Sequence, residues 1–223
     1  MKRTPDPELT ELGWRQAQAL AKHLAAVTAY RHPGRQELAA YGMTHLYCSA
    51  MLRAMQTAQP IAQALALTPE VWVDIHEQGG LFYGNPRQPE SLIGHSGMTR
   101  RDMQARFPGY QVPPEVTDAG WWREGCESRE AFYARALKVA EYLRQLARRH
   151  HDQGRDERIA LVIHGDLIDL LLKALLEQLP GDSLRYVHAP TAITRVDFPP
   201  SGPIYLHYVN RTEHLTPEIF DHV

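Results

Sequence analysis

The chain has 223 residues, of which 43% are hydrophobic, and its charged side chains leave a formal net charge of -2. This length and apolar content suit one domain with a sizeable core. The near-neutral charge gives no reason to expect nucleic acid or an anionic membrane as a partner. Neither a membrane-length apolar run nor a signal peptide is present, so we expect a cytoplasmic protein. Cys48 and Cys126 are too few for a disulfide framework.

Helical and strand patterns alternate along the chain. Apolar residues three to four positions apart predict helices at about 10–27, where Thr10 can cap, at about 50–65, at 129–149 and after Asp166. Strands are predicted at "THLYCS", "VWVDI" and "IALVI", and near 192–198 and 204–209. Residues 30–43 predict an irregular connection. This alternation predicts an α/β fold.

The segment from about 79 to 128 is rich in glycine and proline, and it predicts a lid or binding loop within a single domain of residues 1–223. Trp121 and Trp122 within it either pack the lid or line a pocket, and packing is the expected role. Three arginines of the lid offer anion contacts, although a solvated helix face is the expected explanation for at least two of them: Arg100, Arg101 and Arg106.

One strand end carries a histidine. The continuous apolar run "IALVI" predicts a central strand covered on both faces, and it leads into His164 and Gly165. Ligands of α/β folds bind at the carboxyl ends of strands, and the N-terminus of the following helix favours an anion there. Taken alone, His164 is better explained as a residue that caps the strand or hydrogen-bonds a backbone carbonyl.

Two further strand ends carry polar side chains. Ser49 ends one strand, and Arg53 follows in the first turn of the next helix, where a guanidinium can contact phosphate oxygens. Glu77 precedes a double glycine that leaves room for a group to approach the backbone, and His76 beside it is as readily solvated as functional. Taken singly, each is also explained as an ordinary surface residue. Histidine, arginine and carboxylate at converging strand ends predict a site that binds and protonates a phosphate ester.

Five segments in this order resemble the histidine phosphatase superfamily, the phosphoglycerate mutase-like enzymes. They are "DPELTELGWRQAQALA" at 6–21, "CSAMLRAMQTA" at 48–58, "HEQGGLFYG" at 76–84, "LVIHGDLI" at 161–168 and "VNRTEHL" at 209–215. Each segment is a weak signal, but their occurrence in this order is specific.

The resemblance implies a three-layer sandwich with a mostly parallel central sheet between helices, and a phosphohistidine mechanism without metal or cofactor. In that mechanism His164 would hydrogen-bond the transferring phosphoryl group, Arg53 would clamp its oxygens and Glu77 would be the acid. Ser49 and Gly165 fall at substrate-binding positions. The expected partner is a small phosphorylated substrate or inorganic phosphate, and a phosphatase is expected rather than a mutase.

The chain departs from the family pattern at its start. The family's first strand and its "RHG" motif, which carries the nucleophilic histidine, have no counterpart in "MKRTP". We therefore expect no nucleophile in this chain and a sheet without its first strand. The similar "RHPG" at 31–34 follows a helix and contains Pro33, so His32 is expected in a loop.

Two hypotheses stay open. One is a phosphatase or mutase whose recorded start is too late or whose first strand was lost. The other is a non-catalytic protein that binds a phosphoester or a partner on the same scaffold. The first is preferred because Arg53, Glu77 and His164 are all present.

Overall fold

The computed structural model describes residues 4–26, 29–30, 38–39, 41–85, 88–122 and 125–220. The helices are α1 (Glu11–Ala26), α2 (Leu52–Leu65), α3 (Arg100–Arg106), α4 (Arg129–Asp152) and α5 (Gly165–Leu175). The strands are β1 (Ala29–Tyr30), β2 (Leu38–Ala39), β3 (His45–Ser49), β4 (Pro69–Trp72), β5 (Phe82–Tyr83), β6 (Ile93–Gly94), β7 (Ile159–Val162), β8 (Ile193–Asp197) and β9 (Tyr205–Arg211). None of the helices in these ranges combines the length and apolar character needed to cross a membrane.

Three parallel strands form the central sheet, in the order β4-β3-β7. Ser49 at the end of β3 lies opposite Trp72 at the end of β4, and Cys48 lies opposite Val162 at the end of β7. Because parallel strands end at the same edge, the chain segments that leave these three strands start close together. The α/β fold with a parallel sheet is confirmed.

Helices cover both faces of this sheet. On one face α1 and α2 pack with the inward side chains of β3 and β4, including Leu46 and Val71. On the other face α4 and α5 contribute Phe132 and Leu167, which share a cluster with Leu161 of β7. The resulting three layers are those of the predicted sandwich.

Strands β8 and β9 form a separate antiparallel ribbon. Ile193 of β8 packs on the same cluster as Ala160 and Val162, whereas Val196 packs on the other cluster together with Leu161. Strand β8 therefore lies in the layer of the sheet, between the same two sets of helices as β7. Within the described residues, however, β7 pairs only with β3, and all four residues of β7 are only half-buried. The expected central strand thus has helices on both faces but a sheet partner on one edge.

The segment before Glu77 differs from the prediction. The expected strand "VWVDI" begins earlier, at Pro69, and ends at Trp72, after which Val73–Ile75 form a 3-10 turn. The backbone N–H of His76 closes this turn on the carbonyl oxygen of Val73. The alternating apolar residues that predicted a strand therefore extend beyond its end at Trp72 and into the turn. The turn changes the direction of the chain and brings Glu77 toward α5.

The start of α1 agrees with the prediction more closely than the strand before Glu77 does. Thr10 Oγ1 accepts a hydrogen bond from the N–H of Gly13 at 3.1 Å, so Thr10 caps α1 as expected. The expected irregular connection at 30–43 contains the short pair β1 and β2, and most of its other residues, including His32, lie outside the described residues.

A buried ion pair anchors α5. Lys173 Nζ donates to Asp169 Oδ2 at 2.7 Å and to the carbonyl oxygen of Gly181 at 2.8 Å, and Asp169 Oδ1 accepts from the N–H of Tyr186 at 2.8 Å. Asp169 is 6% exposed and Lys173 is 2% exposed. These bonds tie the helix that follows His164 to the chain at 181–186.

Replacing Asp169 tests this anchor. Asp169→Ala leaves the ammonium group of Lys173 buried without its carboxylate, and breaking such a pair costs about 3 to 5 kcal/mol of unfolding free energy. Urea unfolding should show this loss, whereas Asp182→Ala, which removes an exposed ion pair with Arg129, should cost less than about 1 kcal/mol. Asp169→Leu combined with Lys173→Met should recover much of the stability. Equal stability of Asp169→Ala and the unchanged protein would contradict the anchoring role.

Candidate active site

Glu77 reaches the first turn of α5, directly after His164. Its Oε2 accepts a hydrogen bond from the N–H of Asp166 at 3.3 Å, and its Oε1 accepts from the N–H of Leu167 at 3.2 Å. The N–H of Gln78 donates to Oε1 as well, at 2.9 Å. The N-terminus of this helix is predicted to attract an anion, and in the structure that anion is the carboxylate of Glu77.

Burial and neighbouring charges change the acidity of Glu77. Burial raises the pKa of the carboxyl group above its usual value, and the neighbouring carboxylate of Asp166 adds to this effect. The backbone hydrogen bonds and the charge of Arg53 act in the opposite direction. A carboxyl group with a raised pKa keeps its proton to a higher pH, which is what a general acid requires.

His164 ends the β7 strand and is the N-cap residue of α5. It is only 7% exposed, and its Nε2 is buried without a hydrogen-bond partner among the described residues. Burial lowers the pKa of His164 well below its usual value, and the charges of Arg53, His76 and Arg135 lower it further. The imidazole is therefore neutral, with one ring nitrogen left to bond to a ligand.

Arg53 occupies the second position of α2 and is half-buried. Its charge lowers the pKa of Glu77 and that of His164, so the guanidinium lies within electrostatic range of both. The structure thus brings together the three residues that the sequence placed at three strand ends. Within the described residues, no three side chains of His, Cys, Asp or Glu are grouped as metal ligands.

Ser49 and Gly165 are the residues with expected substrate contacts. The Oγ of Ser49 is buried and accepts a hydrogen bond from the N–H of Met51 at 3.2 Å, so it shapes the turn between β3 and α2. Gly165 opens α5, and a Cβ added there would meet no atom within 4 Å. The space beside Gly165 is open, and the substrate contacts of both residues stay predictions.

Asp6 is a residue that the sequence reading did not single out. Its Oδ1 accepts a hydrogen bond from the N–H of Leu52 at 3.0 Å, and its Oδ2 is buried without a partner in the described part of the chain. Burial raises the pKa of Asp6, while the charges of Arg53, His95 and Arg106 lower it. Carboxylates from elsewhere in the chain thus cap both α2 and α5. No local pattern signals Asp6, because its partner lies 46 residues away.

Arg135 of α4 holds the segment that carries Glu77. Its Nη1 donates to the carbonyl oxygens of Asp74 and His76, both at 2.8 Å. Its Nε and Nη2 donate to the two carboxylate oxygens of Glu127 at 2.7 and 2.6 Å. Arg135 is 9% exposed and lies beside the inward apolar positions of α4. The sequence offered one indication of this role: Arg135 is a charged residue next to the apolar face of a predicted helix.

His76 is buried, at 2% exposure, rather than solvated. Its Nδ1 donates to the carbonyl oxygen of Val73 at 2.7 Å, and its ring lies 5.5 and 4.7 Å from the ring centroids of Trp121 and Trp122. Burial and the charge of Arg135 lower the pKa of His76 to about 4. Both tryptophans are 6% exposed, which confirms that they pack the lid against the core.

The double glycine after Glu77 makes room for aromatic rings. Gly80 has a φ of 67°, and a Cβ added there would lie 2.2 Å from the indole of Trp122. Gly79 has a φ of 83°, and its added Cβ would lie 2.8 Å from the ring of Phe82. The groups that approach the backbone at this double glycine are therefore the side chains of Trp122 and Phe82.

Two of the three lid arginines bond within the protein. Arg100 donates to the carbonyl oxygens of Pro113 and Val116 at 2.5 and 2.9 Å. Arg106 pairs with Glu8 at 2.6 Å, and Arg101 lies on the exposed face of α3. Their positions agree with the expectation that at least two of them are not anion contacts.

Several solved structures resemble this one over most of its length. Mycobacterial hydrolase 1 is 25% identical with a TM-score of 0.53, covering 93% of this chain and 88% of that chain. Mycobacterial glucosyl-3-phosphoglycerate phosphatase in complex with inorganic phosphate is 23% identical with a TM-score of 0.52, covering 97% and 93%. Phosphoserine phosphatase from Entamoeba histolytica, in complex with 3-phosphoglyceric acid, is 20% identical with a TM-score of 0.53, covering 95% and 88%. The last two likenesses show the fold alone.

A curated relative matches only part of the chain. PE-PGRS family protein PE_PGRS11 of Mycobacterium tuberculosis is 34% identical over 91 residues, which is 40% of this chain and 13% of the relative. This chain therefore spans a small fraction of that relative's length.

The family comparison covers nearly the whole chain. The model of the histidine phosphatase superfamily (branch 1) matches residues 1–211. This range includes β3, α2, β7 and α5, and therefore the strand ends that bring Arg53, Glu77 and His164 together. The chain belongs to the histidine phosphatase superfamily.

Proposed function

We propose that this chain binds the phosphoryl group of a small phosphomonoester and that, with a nucleophile in place, it hydrolyses the ester as a phosphatase. The observation that carries the proposal is the buried, unpartnered Nε2 of His164 beside Arg53 and Glu77. Two relatives of the same fold are phosphatases whose structures hold inorganic phosphate or 3-phosphoglyceric acid, which supports a small phosphorylated ligand.

Each of the three residues has a distinct part in the proposed reaction. Arg53 contacts two oxygens of the phosphoryl group through its forked donors, and it supplies the positive charge. His164, neutral in its buried position, donates from Nε2 to a further oxygen. Glu77 protonates the oxygen of the leaving alcohol, because burial holds its proton to higher pH. Position and charge supply the catalysis, as is usual for phosphoryl transfer.

A phosphoryl group and the Glu77 carboxylate compete for the same donors. The N–H groups of Asp166 and Leu167 are taken by Glu77 in the structure. When Glu77 is protonated, its carboxyl group loses much of its attraction to the helix N-terminus, and these N–H groups become available to phosphate oxygens. Anion binding at this site is thereby coupled to proton uptake by Glu77.

The nucleophile, in our proposal, belongs on a strand between β7 and β8. These strands share both hydrophobic clusters but do not pair with each other in the described part of the chain. A strand that ran parallel to β7 in this slot would end beside His164. His76 is unsuited to attack, since the residue is only 2% exposed and its ring is covered by the two tryptophans. We therefore expect the 223-residue chain to bind phosphate and to turn over phosphoesters poorly.

Anion binding should depend on Arg53 and His164. In calorimetric titrations with orthovanadate, Arg53→Ala and His164→Ala should each weaken binding about tenfold or more, as expected for the loss of a hydrogen bond to a charged group. Arg101→Ala, which changes an exposed lid residue, should bind as the unchanged protein does. Unchanged isotherms for both site variants would remove these residues from the site.

The competition with Glu77 predicts a pH dependence of binding. Sulfate does not change its charge in the pH range in which a carboxyl group of raised pKa titrates. Any pH dependence of sulfate affinity therefore comes from ionisable groups of the protein. Because the anion favours protonated Glu77, sulfate affinity should rise as the pH is lowered through the Glu77 pKa, with proton uptake on binding. Glu77→Gln keeps an accepting oxygen but cannot titrate, and it should abolish this dependence. An equal pH dependence in Glu77→Gln would assign the proton to another group.

The proposed strand can be supplied. Prefixing an apolar strand that ends in Arg-His-Gly should raise the melting temperature by several degrees, since it buries several side chains worth about 1.5 to 3 kcal/mol each. The extended protein should hydrolyse phosphomonoesters orders of magnitude faster than the 223-residue chain. A matched strand ending in Arg-Gln-Gly should keep the stability and lose the activity. Equal melting temperatures for the short and extended chains would favour a non-catalytic phosphoester-binding protein. Efficient turnover by the short chain would contradict the proposal directly.

A further inference from the structure

A cavity lies along the outer edge of β4, away from the candidate active site. Its volume is about 670 Å³, which is within the usual range of small-molecule sites. Its walls come from β4, from the loop at 111–115 and from the outward-facing turns of α4. Arg53, Glu77 and His164 are not among its lining residues.

Three aromatic side chains meet at this cavity. Tyr47 and Trp72 lie edge to face with ring centroids 5.8 Å apart, and Trp72 and Tyr142 lie edge to face at 5.1 Å. Tyr142 is 41% exposed, and the guanidinium of Arg149 lies over its ring at 5.8 Å from the centroid, so this corner of rings opens to solvent and already attracts one cation of the chain. Groups of aromatic rings at an angle to one another attract cations to their faces, and they do so best for weakly hydrated organic cations.

The charged side chains of the cavity are mostly acidic. Asp74 is neutralised by Lys138, whose Nζ lies 2.8 Å from its Oδ2. The other three carboxylates that line the cavity form no ion pair within the described part of the chain; they are Glu70, Glu115 and Glu141. For a chain whose net charge is only -2, this is a local excess of negative charge. Carboxylates around an aromatic corner are complementary to a cation.

We propose that this cavity binds a small organic cation with an alkylated ammonium head group. The rings of Tyr47, Trp72 and Tyr142 receive the methyl groups and the charge of the head group, and the carboxylates at the rim supply long-range attraction. The cavity borders the segment that leads to Glu77, because Asp74 lines it. Arg135 holds the carbonyl oxygens of Asp74 and His76 in this segment. The cation site is therefore separate from the phosphoryl site but adjoins the same part of the chain.

Choline and its neutral isostere 3,3-dimethylbutan-1-ol test the charge requirement. Calorimetric titration of the full chain should give saturable binding of choline. The neutral alcohol should bind at least about tenfold more weakly than choline, because it has no charge to interact with the ring faces and carboxylates. Equal binding of the two compounds, or no saturable binding of choline, would overturn the proposal.

Substitutions of charged side chains at the cavity rim test the binding site without disturbing the packed core. Glu70→Gln and Glu141→Gln should each weaken choline binding several-fold, whereas Glu130→Gln, an exposed glutamate of α4 outside the cavity, should not. Lys138→Gln should strengthen binding, because it frees the carboxylate of Asp74, and the Lys138 side chain is 70% exposed. Choline affinities that are identical in all four variants would place the binding elsewhere and refute the assignment.

Discussion

The contact between Glu77 and the first turn of α5 fixes the geometry of the whole site. It joins residues 89 and 90 positions apart, and it binds the segment after β4 to the helix after β7, across the intervening strand β3. Arg135 holds the same segment from the α4 side through two carbonyl oxygens. Because these bonds are at least partly buried and are directional, they fix the position of the Glu77 carboxyl group more strictly than apolar packing alone. The distance between Glu77 and His164 is thus set by the backbone N–H groups of Asp166 and Leu167.

The strand layer near this contact consists of a parallel sheet and a separate antiparallel ribbon. Strands β4, β3 and β7 pair in parallel, while β8 and β9 pair with each other, and both parts lie between the same two sets of helices. Hydrophobic packing therefore places β8 in line with β7, and no ladder hydrogen bonds join the two strands within the described residues. Unpaired strand edges readily accept a further strand. Our proposal that a nucleophile-bearing strand belongs in this slot rests on that arrangement and on the position of His164 at the end of β7.

The predictable part of the site followed from chain topology. Parallel strands joined by helices must end at one edge, so a sequence that places Arg53, Glu77 and His164 after three such strands already implies that they meet. What the sequence did not reveal depends on contacts between distant residues: the cap that Asp6 provides for α2, and the hold of Arg135 on the chain before Glu77. The double glycine predicted that some group approaches the backbone, but only the folded chain shows that this group is the Trp122 side chain. Local patterns indicate which element a residue joins, but they do not show which distant polar group it satisfies.

The position of His76 beneath the lid has a consequence for acid stability. The ring is neutral in the folded chain, with a pKa of about 4 against an ordinary value of 6.5. The folded chain therefore binds a proton at this side chain less readily than the unfolded chain, and the associated stability is complete above pH 6.5 and is lost as the pH falls toward 4. The full effect is on the order of 3 kcal/mol. Because Trp121 and Trp122 pack on this ring, acidification toward pH 4 weakens the packing that holds residues 121–122 against the segment before Glu77.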